Sequence, residues 1–538
     1  MQLTSGSLAR TSVKVSEWWR GAVVYHVYPL SFADANGDGT GDLAGVTAKL
    51  DYIASLGVDI VWISPFYRSP MRDFGYDVAD YCDVDPLFGR LADFDALVRK
   101  AHGLGLKVLI DLVFSHTSDE HSWFKESRQS RDNPRFDWYV WADAKADGSP
   151  PNNWQAVFGG PCWTWDARRQ QYYLHNFLPA QPNLNVHNPA VQDALLEAMR
   201  FWLDRGVDGF RMDAVNFMMH DPALTDNPPV LTPGKRTRPF DFQHHFYNQS
   251  HPAIPAFLTR LRGLAESYGD RFLVAEVGGE RADKEMKLYT AGADRLQSAY
   301  SFHYLYADEL TPELVRRGME DWPEDVDGVG WPSWAFSNHD APRSVSRWAK
   351  GRDRKAFAEM GLLLLMSLRG NAFLYQGEEL GLPQATVPFD RMRDPEAIMN
   401  WPLTLGRDGA RTPIPWHAAP AEPEAEPWLP LDPAHLPLAV DAQEADPQAT
   451  LHVARRALHW RRTLPAFRTG GVRFLDAPAG VLAFERGRGA DAVLCVFNLG
   501  AAPVAYRVPA GWRLIERVNA PGVEQGLLAP LAAVYAVR

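Results

Sequence analysis

The chain has 538 residues, a formal net charge of −11 and a hydrophobic fraction of 46%, enough to fill about three domains of ordinary size. The acidic balance, with no Lys/Arg run standing out, argues against nucleic acid or an anionic membrane surface as partner. Three cysteines, Cys82, Cys162 and Cys495, far apart and at no metal-ligand spacing, indicate neither a disulfide framework nor a zinc site and fit a reducing compartment, the cytoplasm.

The opening stretch, MQLTSGSLARTSVKVSEWW, holds no apolar core of signal-peptide length, and the greasiest run, 361–368, is too short to span a bilayer. The first apolar run, Val23 to Phe32, reads as a strand and leads into DANGDGTGD, with Asp34, Asn36, Asp38, Thr40 and Asp42 at every second position. Such oxygens suit a hard cation, but the twelfth position is Gly45 where a calcium-sensor loop needs a bidentate Glu, so an ion here would be structural; a solvated acidic turn is the other reading.

Seven further runs follow: Ile60 to Tyr67, Lys107 to His116, Gly209 to Asn216, Phe272 to Val277, Arg295 to His303, Pro332 to Asp340 and Asn371 to Glu378. Helix-like stretches separate them, among them the segment 355–369, read as amphipathic. Strand alternating with helix predicts an α/β fold with a parallel sheet, and eight such units close a (β/α)8 TIM barrel whose chemistry sits at the C-terminal strand ends. Two segments break the rhythm. Residues 117–185, rich in Trp, Asn, Pro and Gly, are too long for a connection and read as a lobe inserted after strand 3. Residues 379–448, dense in Pro, read as a structured loop over the barrel mouth, or a linker. After a helix near 449–462, short runs at 471–475, 481–486, 492–498, 504–508 and 531–537 predict a C-terminal antiparallel β domain. The boundaries are therefore 1–116 and 186–465 for the barrel, 117–185 for the lobe and 466–538 for the β domain.

Acids and polar groups stand at the expected strand ends: DLVFSH ends in His116, GFRMDAV carries Arg211 and Asp213, VAEVG carries Glu276, and SNHD carries His339 and Asp340. One such acid is more often a helix cap or an ion-pair partner. Three carboxylates brought by three strands to one barrel mouth are hard to explain as capping, and paired carboxylates are the usual apparatus for cleaving a glycosidic bond. By the strand period of two, Arg211 shares a face with Asp213 and would keep it ionised as a nucleophile, whereas Glu276, crowded by other acids, would keep its proton. An aromatic content of 12%, with 19 Trp, suits sugar faces as well as it suits a large core.

Together with QPNLN at 181–185 and GARTPIPW at 409–416, these motifs resemble the α-amylase superfamily of glycoside hydrolases (family 13), in particular its branch of oligo-1,6-glucosidases and α-glucosidases. The resemblance runs from VVYHVYPLSF to the C-terminal domain. It implies that Asp213 attacks the anomeric carbon, Glu276 is general acid and then base, and Asp340 steadies the distorted ring, with net retention and carboxyl groups about 5 Å apart. It implies further that Asp73 in DFGYD binds terminal glucose hydroxyls, that Tyr76 is the stacking floor, and that His116, His339 and Arg411, with Phe177 and Gln181 nearby, complete that subsite. The opening loop would hold one calcium or magnesium through Asp34, Asn36, Asp38, the Thr40 carbonyl and Asp42, and no organic cofactor is implied. Departures from the branch's pattern are Ser115 in place of Asn, Asn183 in place of Asp, and Ala214 where relatives preferring α-1,6 bonds carry Val.

The expected function is a retaining exo-acting α-glucosidase that releases α-1,4-linked glucose from maltose and short α-glucosides and passes it to hydroxyl acceptors, working as a monomer or homodimer. The alternatives are a sucrose or trehalose isomerase or phosphorylase of the same superfamily, and a non-catalytic binding subunit.

Overall fold

Each of the eight apolar runs contributes one strand to a closed parallel barrel: β1 (Val23–Val27), β2 (Ile60–Ile63), β3 (Lys107–Leu112), β4 (Gly209–Met212), β5 (Phe272–Val277), β6 (Ser298–Ser301), β7 (Trp331–Ala335) and β8 (Asn371–Tyr375). The computed structural model describes residues 17–232, 234, 236–322, 330–404, 406–419 and 425–538. The opening stretch before residue 17 and part of the Pro-rich segment lie outside the described residues. Every strand pairs in parallel with its sequence neighbours, and β1 closes the ring on β8, Val24 opposite Phe373. The (β/α)8 barrel is thus present.

The strand period of two sorts side chains into two layers. On β4, Phe210 and Met212 pack outward against the helices while Arg211 points into the barrel; on β1, Tyr25 and Val27 point out and Val24 points in. The floor of the interior is apolar, built from Val24, Ile60, Leu109, Phe272, Val274 and Phe373, with Trp19 stacked on Phe272 at 5.6 Å. Toward the C-terminal ends the inward positions turn polar. All but one of the strands stop short of the apolar run that predicted them, because past the last ladder hydrogen bond the chain turns away, freeing Asp213, His116 and Asp340 from the sheet.

The inserted lobe has its own three-stranded sheet (Trp141–Ala142, Trp163–Asp166 and Gln171–Leu174) over a small core of Val140, Trp154, Cys162 and Leu174. An antiparallel bridge between His116 and Asn183 ties its last residues to the end of β3. The Pro-rich segment is ordered by two short helices, Pro395–Asn400 and Val440–Ala445, which rules out a linker over its described residues.

The helix α1 (Arg354–Ser367), read as amphipathic, is buried on every face from Phe357 to Ser367. It lies against α2 (Thr450–Thr463) on one side and the C-terminal sheet on the other, where the Tyr535 hydroxyl donates to the Leu363 carbonyl and Arg486 to that of Ser367. The sheet runs β9 (Val472–Phe474), β10 (Val481–Arg486), β11 (Val493–Asn498), β13 (Ala533–Val537), β12 (Arg513–Val518), all antiparallel. The sequence pattern does not predict β12. It is an edge strand whose charged residues, Arg513, Glu516 and Arg517, hide its apolar alternation. The run at 504–508 supplies instead a two-residue ribbon, Val504–Ala505 against Leu527–Leu528.

Candidate active site

At the C-terminal end of the barrel a cavity of about 340 Å³ is lined by Asp213, Glu276 and Asp340, by Asp73, Tyr76, His116, Phe177 and His339, and by residues from the lobe and the long loops. The three acids come from loops or strand ends of β4, β5 and β7, the convergence the strand order requires.

One cation organises the acids. Arg211 is fully buried; its Nη1 lies 2.6 Å from both Asp111 Oδ1 and Asp213 Oδ1, and its Nη2 2.6 Å from Glu276 Oε1. Its Nε donates to the Tyr300 hydroxyl, which in turn donates to Glu276 at 3.2 Å. Its guanidinium carbon lies 5.0 Å from the centroid of Trp62, on which the His26 ring stacks at 3.6 Å. Three carboxylates around one guanidinium in a dry site cannot all ionise cheaply. Burial therefore pushes Asp213 up to about 7, with Arg211 pulling it down and the charges of Asp111 and Asp340 pushing it further up. Glu276 is likewise pushed to about 7 by burial, opposed by Arg211 and reinforced by Asp213 and Asp340. Asp111 rises to about 6 for the same reason. The expectation that Arg211 keeps Asp213 ionised is corrected to this extent: its pull is real, but desolvation exceeds it. Asp340 behaves oppositely. Burial would raise it, yet Arg411 at 2.7 Å and Arg407 at 3.4 Å hold it below the ordinary carboxylate range.

The far end of the cavity is a polar cradle. Asp73 pairs with Arg407 Nη2 at 2.7 Å and accepts from Gln181 Nε2 at 3.0 Å. Arg407 is steadied in turn by Asp394 at 2.8 Å. The Ser115 hydroxyl meets His116 Nδ1 at 2.8 Å, and His116 Nε2 lies 2.9 Å from the Tyr76 carbonyl. Tyr76 stacks on His339, ring centroids 5.2 Å apart and planes 8° from parallel, leaving a flat aromatic face beside the carboxylates. Burial holds His116 down at about 4, so its ring is neutral at pH 7.

The expected residues divide into two layers. Asp73, Tyr76, His116, Phe177, Asp213, Glu276, His339 and Asp340 face the cavity, whereas Arg211, Gln181 and Arg411 stand behind them, each fully buried and aimed at an acid or its loop. The arginine that reaches the cavity from GRDGARTP is Arg407, missed in the sequence although it stands four residues before Arg411. Asp111 was also missed, although it faces Arg211 directly in the β3–β4 register. Arg238, Phe158 and Tyr306 come from irregular loops, and Phe240 and Glu396 from helical segments of four and six residues, too short for a period to mark them.

The opening loop is a chain of Asx turns: Asp34, Asn36 and Asp38 each accept the N–H two residues on, and Asp34 also binds the N–H groups of Gly37 and Gly39. Its donors are all oxygen, which fits a hard cation. Asp42, however, accepts from Ala35 N and caps the next helix at Gly45 N, and no group of three or more His, Cys, Asp or Glu is assembled around one point among the described residues.

The chain as a whole has counterparts among known proteins. The model of the alpha-amylase catalytic domain matches residues 26–470. A probable alpha-glucosidase of Rhizobium meliloti (strain 1021) is 50% identical over 504 residues, covering 92% of this chain and 91% of that protein. An oligo-1,6-glucosidase of Parageobacillus thermoglucosidasius is 36% identical over 526 residues, 91% and 92% of the two chains. The crystal structure of an alpha-glucosyl transfer enzyme, XgtA, superposes with a TM-score of 0.91 at 50% identity, over 97% of this chain and 99% of the other. The chain belongs to the alpha-amylase family of glycoside hydrolases and carries that family's catalytic domain.

Proposed function

We propose that the protein is a retaining, exo-acting α-glucosidase that takes one α-1,4-linked glucose from the non-reducing end of maltose and short α-glucosides and hands it to water or to another hydroxyl. The observation that carries this reading is the double clamp of Arg211 on Asp213 and Glu276. Two carboxylates hung on the two terminal nitrogens of one guanidinium, each at 2.6 Å, are held to one side of the cavity, which supports their joint action on one glycosidic bond; a carboxyl separation of about 5 Å is what retention requires. In the first step an Asp213 oxygen bonds to the anomeric carbon while the glycosidic bond breaks and Glu276 delivers its proton to the leaving oxygen. In the second, the Glu276 carboxylate takes the proton of water or of an acceptor hydroxyl, whose oxygen displaces Asp213. Asp340, held ionised by two arginines, faces the positive charge that develops on the sugar ring.

The cradle of Asp73, Arg407 and His116 ends the cavity beyond the acids, which supports removal of a single terminal glucose. Ala214, small and directly after the nucleophile, supports an α-1,4 preference, and the relatedness to a glucosyl transfer enzyme supports acceptors other than water. We also propose that the opening loop holds one structural calcium or magnesium and that the protein works in the cytoplasm, in keeping with three unpaired cysteines. No described helix is long and apolar enough to cross a membrane.

The test is proton NMR of the protein with maltose, isomaltose, sucrose and trehalose separately, with and without hydroquinone as acceptor. α-Glucose as first product from maltose is the expected result. β-Glucose would overturn the retaining assignment, and rearranged disaccharides from sucrose or trehalose would replace the glucosidase reading with an isomerase.

A further inference from the structure

One part of the cavity lining is accounted for by Asp73, Arg407 and their partners; the rest is not. It includes Asn216 and Phe240 from the segment after β4, Gly278 and Gly279 after β5, and Tyr306 after β6. There Arg238 meets Glu396. Arg238 Nη1 lies 3.4 Å from Glu396 Oε1, and the contact joins the segment after β4 to the helix Pro395–Asn400 in the insertion after β8, 158 residues further on. Neither group is free in solvent, with side-chain exposures of 25% and 15%. Asp241 fixes the direction of Arg238 from behind at 2.9 Å. Glu396 is raised by burial and pulled down by the guanidiniums of Arg238 and Arg407, so its charge couples the two ends of the cavity.

Two loops that leave different strands have no covalent reason to stay together at the rim of an opening, and the pair supplies one. The enclosed volume, about 340 Å³, stands near the lower limit of ligand pockets, which span roughly 300–1,000 Å³. We propose that the Arg238–Glu396 pair is the length gate of the acceptor side: it admits one sugar unit beyond the bond to be cleaved and turns away longer glucans. An apolar ring backs the gate, Phe240 at 5.8 Å from the Arg238 guanidinium, so the admitted unit meets an aromatic face and a charged rim. The gate presupposes the α-glucosidase reading above.

The experiment compares kcat/KM for maltose, maltotriose and maltotetraose in the unaltered enzyme, Arg238→Met, Glu396→Gln and the double variant, with Arg238→Lys as conservative rescue. The unaltered enzyme should favour maltose. Each single variant should raise the maltotetraose-to-maltose ratio at least about threefold, the scale of a partly buried ion pair, mainly through KM for the longer chain. The double variant should add nothing further, and Arg238→Lys should restore much of the preference. An unchanged ratio in folded variants that still cleave maltose overturns the gate alone. If the unaltered enzyme does not release glucose from maltose, the α-glucosidase reading falls and takes the gate with it.

Discussion

Asn183 donates its side-chain amide to the backbone carbonyl of Ser115 at 3.0 Å, so the last residues of the inserted lobe are fastened directly to the residue before His116. The same amide reaches the Phe217 carbonyl at 3.4 Å, while its oxygen accepts from the backbone and side-chain nitrogens of Asn176. Both residues act on the segment after β3, where Asn183 ties down the lobe and Ser115 steadies the His116 ring. A carboxylate at 183 would bring a charge into a buried site facing two carbonyls, with no proton to give. The neutral amide, donor and acceptor at once, satisfies every partner there.

The proposed mechanism requires Asp213 ionised and Glu276 protonated, and both groups are lifted to about 7, by burial first. The pair should give a narrow bell-shaped pH dependence of kcat/KM centred near neutrality. The Asp340 charge is among the causes that raise both acids, so in Asp340→Asn, assayed with an activated aryl glucoside, both limbs should move to lower pH. A profile that keeps its position would remove Asp340 from the electrostatics of the pair.

Stability should carry the same signature. A carboxyl whose folded pKa is raised favours folding below the unfolded pKa, about 4, and loses that advantage as pH climbs toward its folded pKa near 7. Asp213→Asn should therefore raise the melting temperature most at pH 8 and least near pH 4. Equal gains at both pH values would mean that the buried charge of Asp213 is not what the fold resists.

The barrel was legible because strands buried on both faces read as continuous apolar runs, and eight of them in alternation with helices leave little choice of architecture. The gathering of the strand-end acids in one cavity was legible for the same reason, since the strand fixes where they point. Arg407 was not. It reaches Asp73 from 334 residues away, in a loop without period, and nothing local distinguishes it from Arg411. Helix α1 looks amphipathic in sequence, yet its outer face is covered by the C-terminal sheet, a contact no window of sequence contains. β12 was lost to its own charged edge.

The division of labour between those two arginines is open to measurement. Arg407 pairs with Asp73 and Asp394 and approaches Asp340, while Arg411 holds Asp340 and the His339 carbonyl from behind the cavity wall. Arg407→Ala breaks a buried pair in the proposed sugar cradle and should lower kcat/KM for maltose by about 100-fold or more, with glucose inhibition weakened in parallel. Arg411→Lys, which keeps the charge but not the fork, should act on kcat and leave glucose inhibition near its original value.

If the opening loop binds its proposed ion, chelation should lower the melting temperature by a few degrees, an effect that excess calcium or magnesium reverses. The loop lies after β1 and contributes no residue to the cavity, so kcat/KM at low temperature should not move. Asp38→Ala should show the lowered melting temperature without chelator and no further response to it.

Ala214 adopts φ 41°, ψ 47°, a left-handed conformation that costs a non-glycine residue energy, and its N–H points at Glu276 Oε2, 3.3 Å away. The strained turn follows Asp213 directly, and Ala214 lines the cavity. Methyl groups added there would narrow the approach of the acceptor sugar and, being β-branched, increase the strain. Ala214→Val should lower the ratio of kcat/KM for maltose to that for isomaltose by at least about threefold, a difference of one or two methyl contacts, whereas Ala214→Gly should relieve the backbone and keep the ratio. If Val and Gly act alike, the backbone conformation and not the volume at 214 governs linkage preference; if neither shifts the ratio, the determinant lies with Arg238, Glu396 and the loops that carry them.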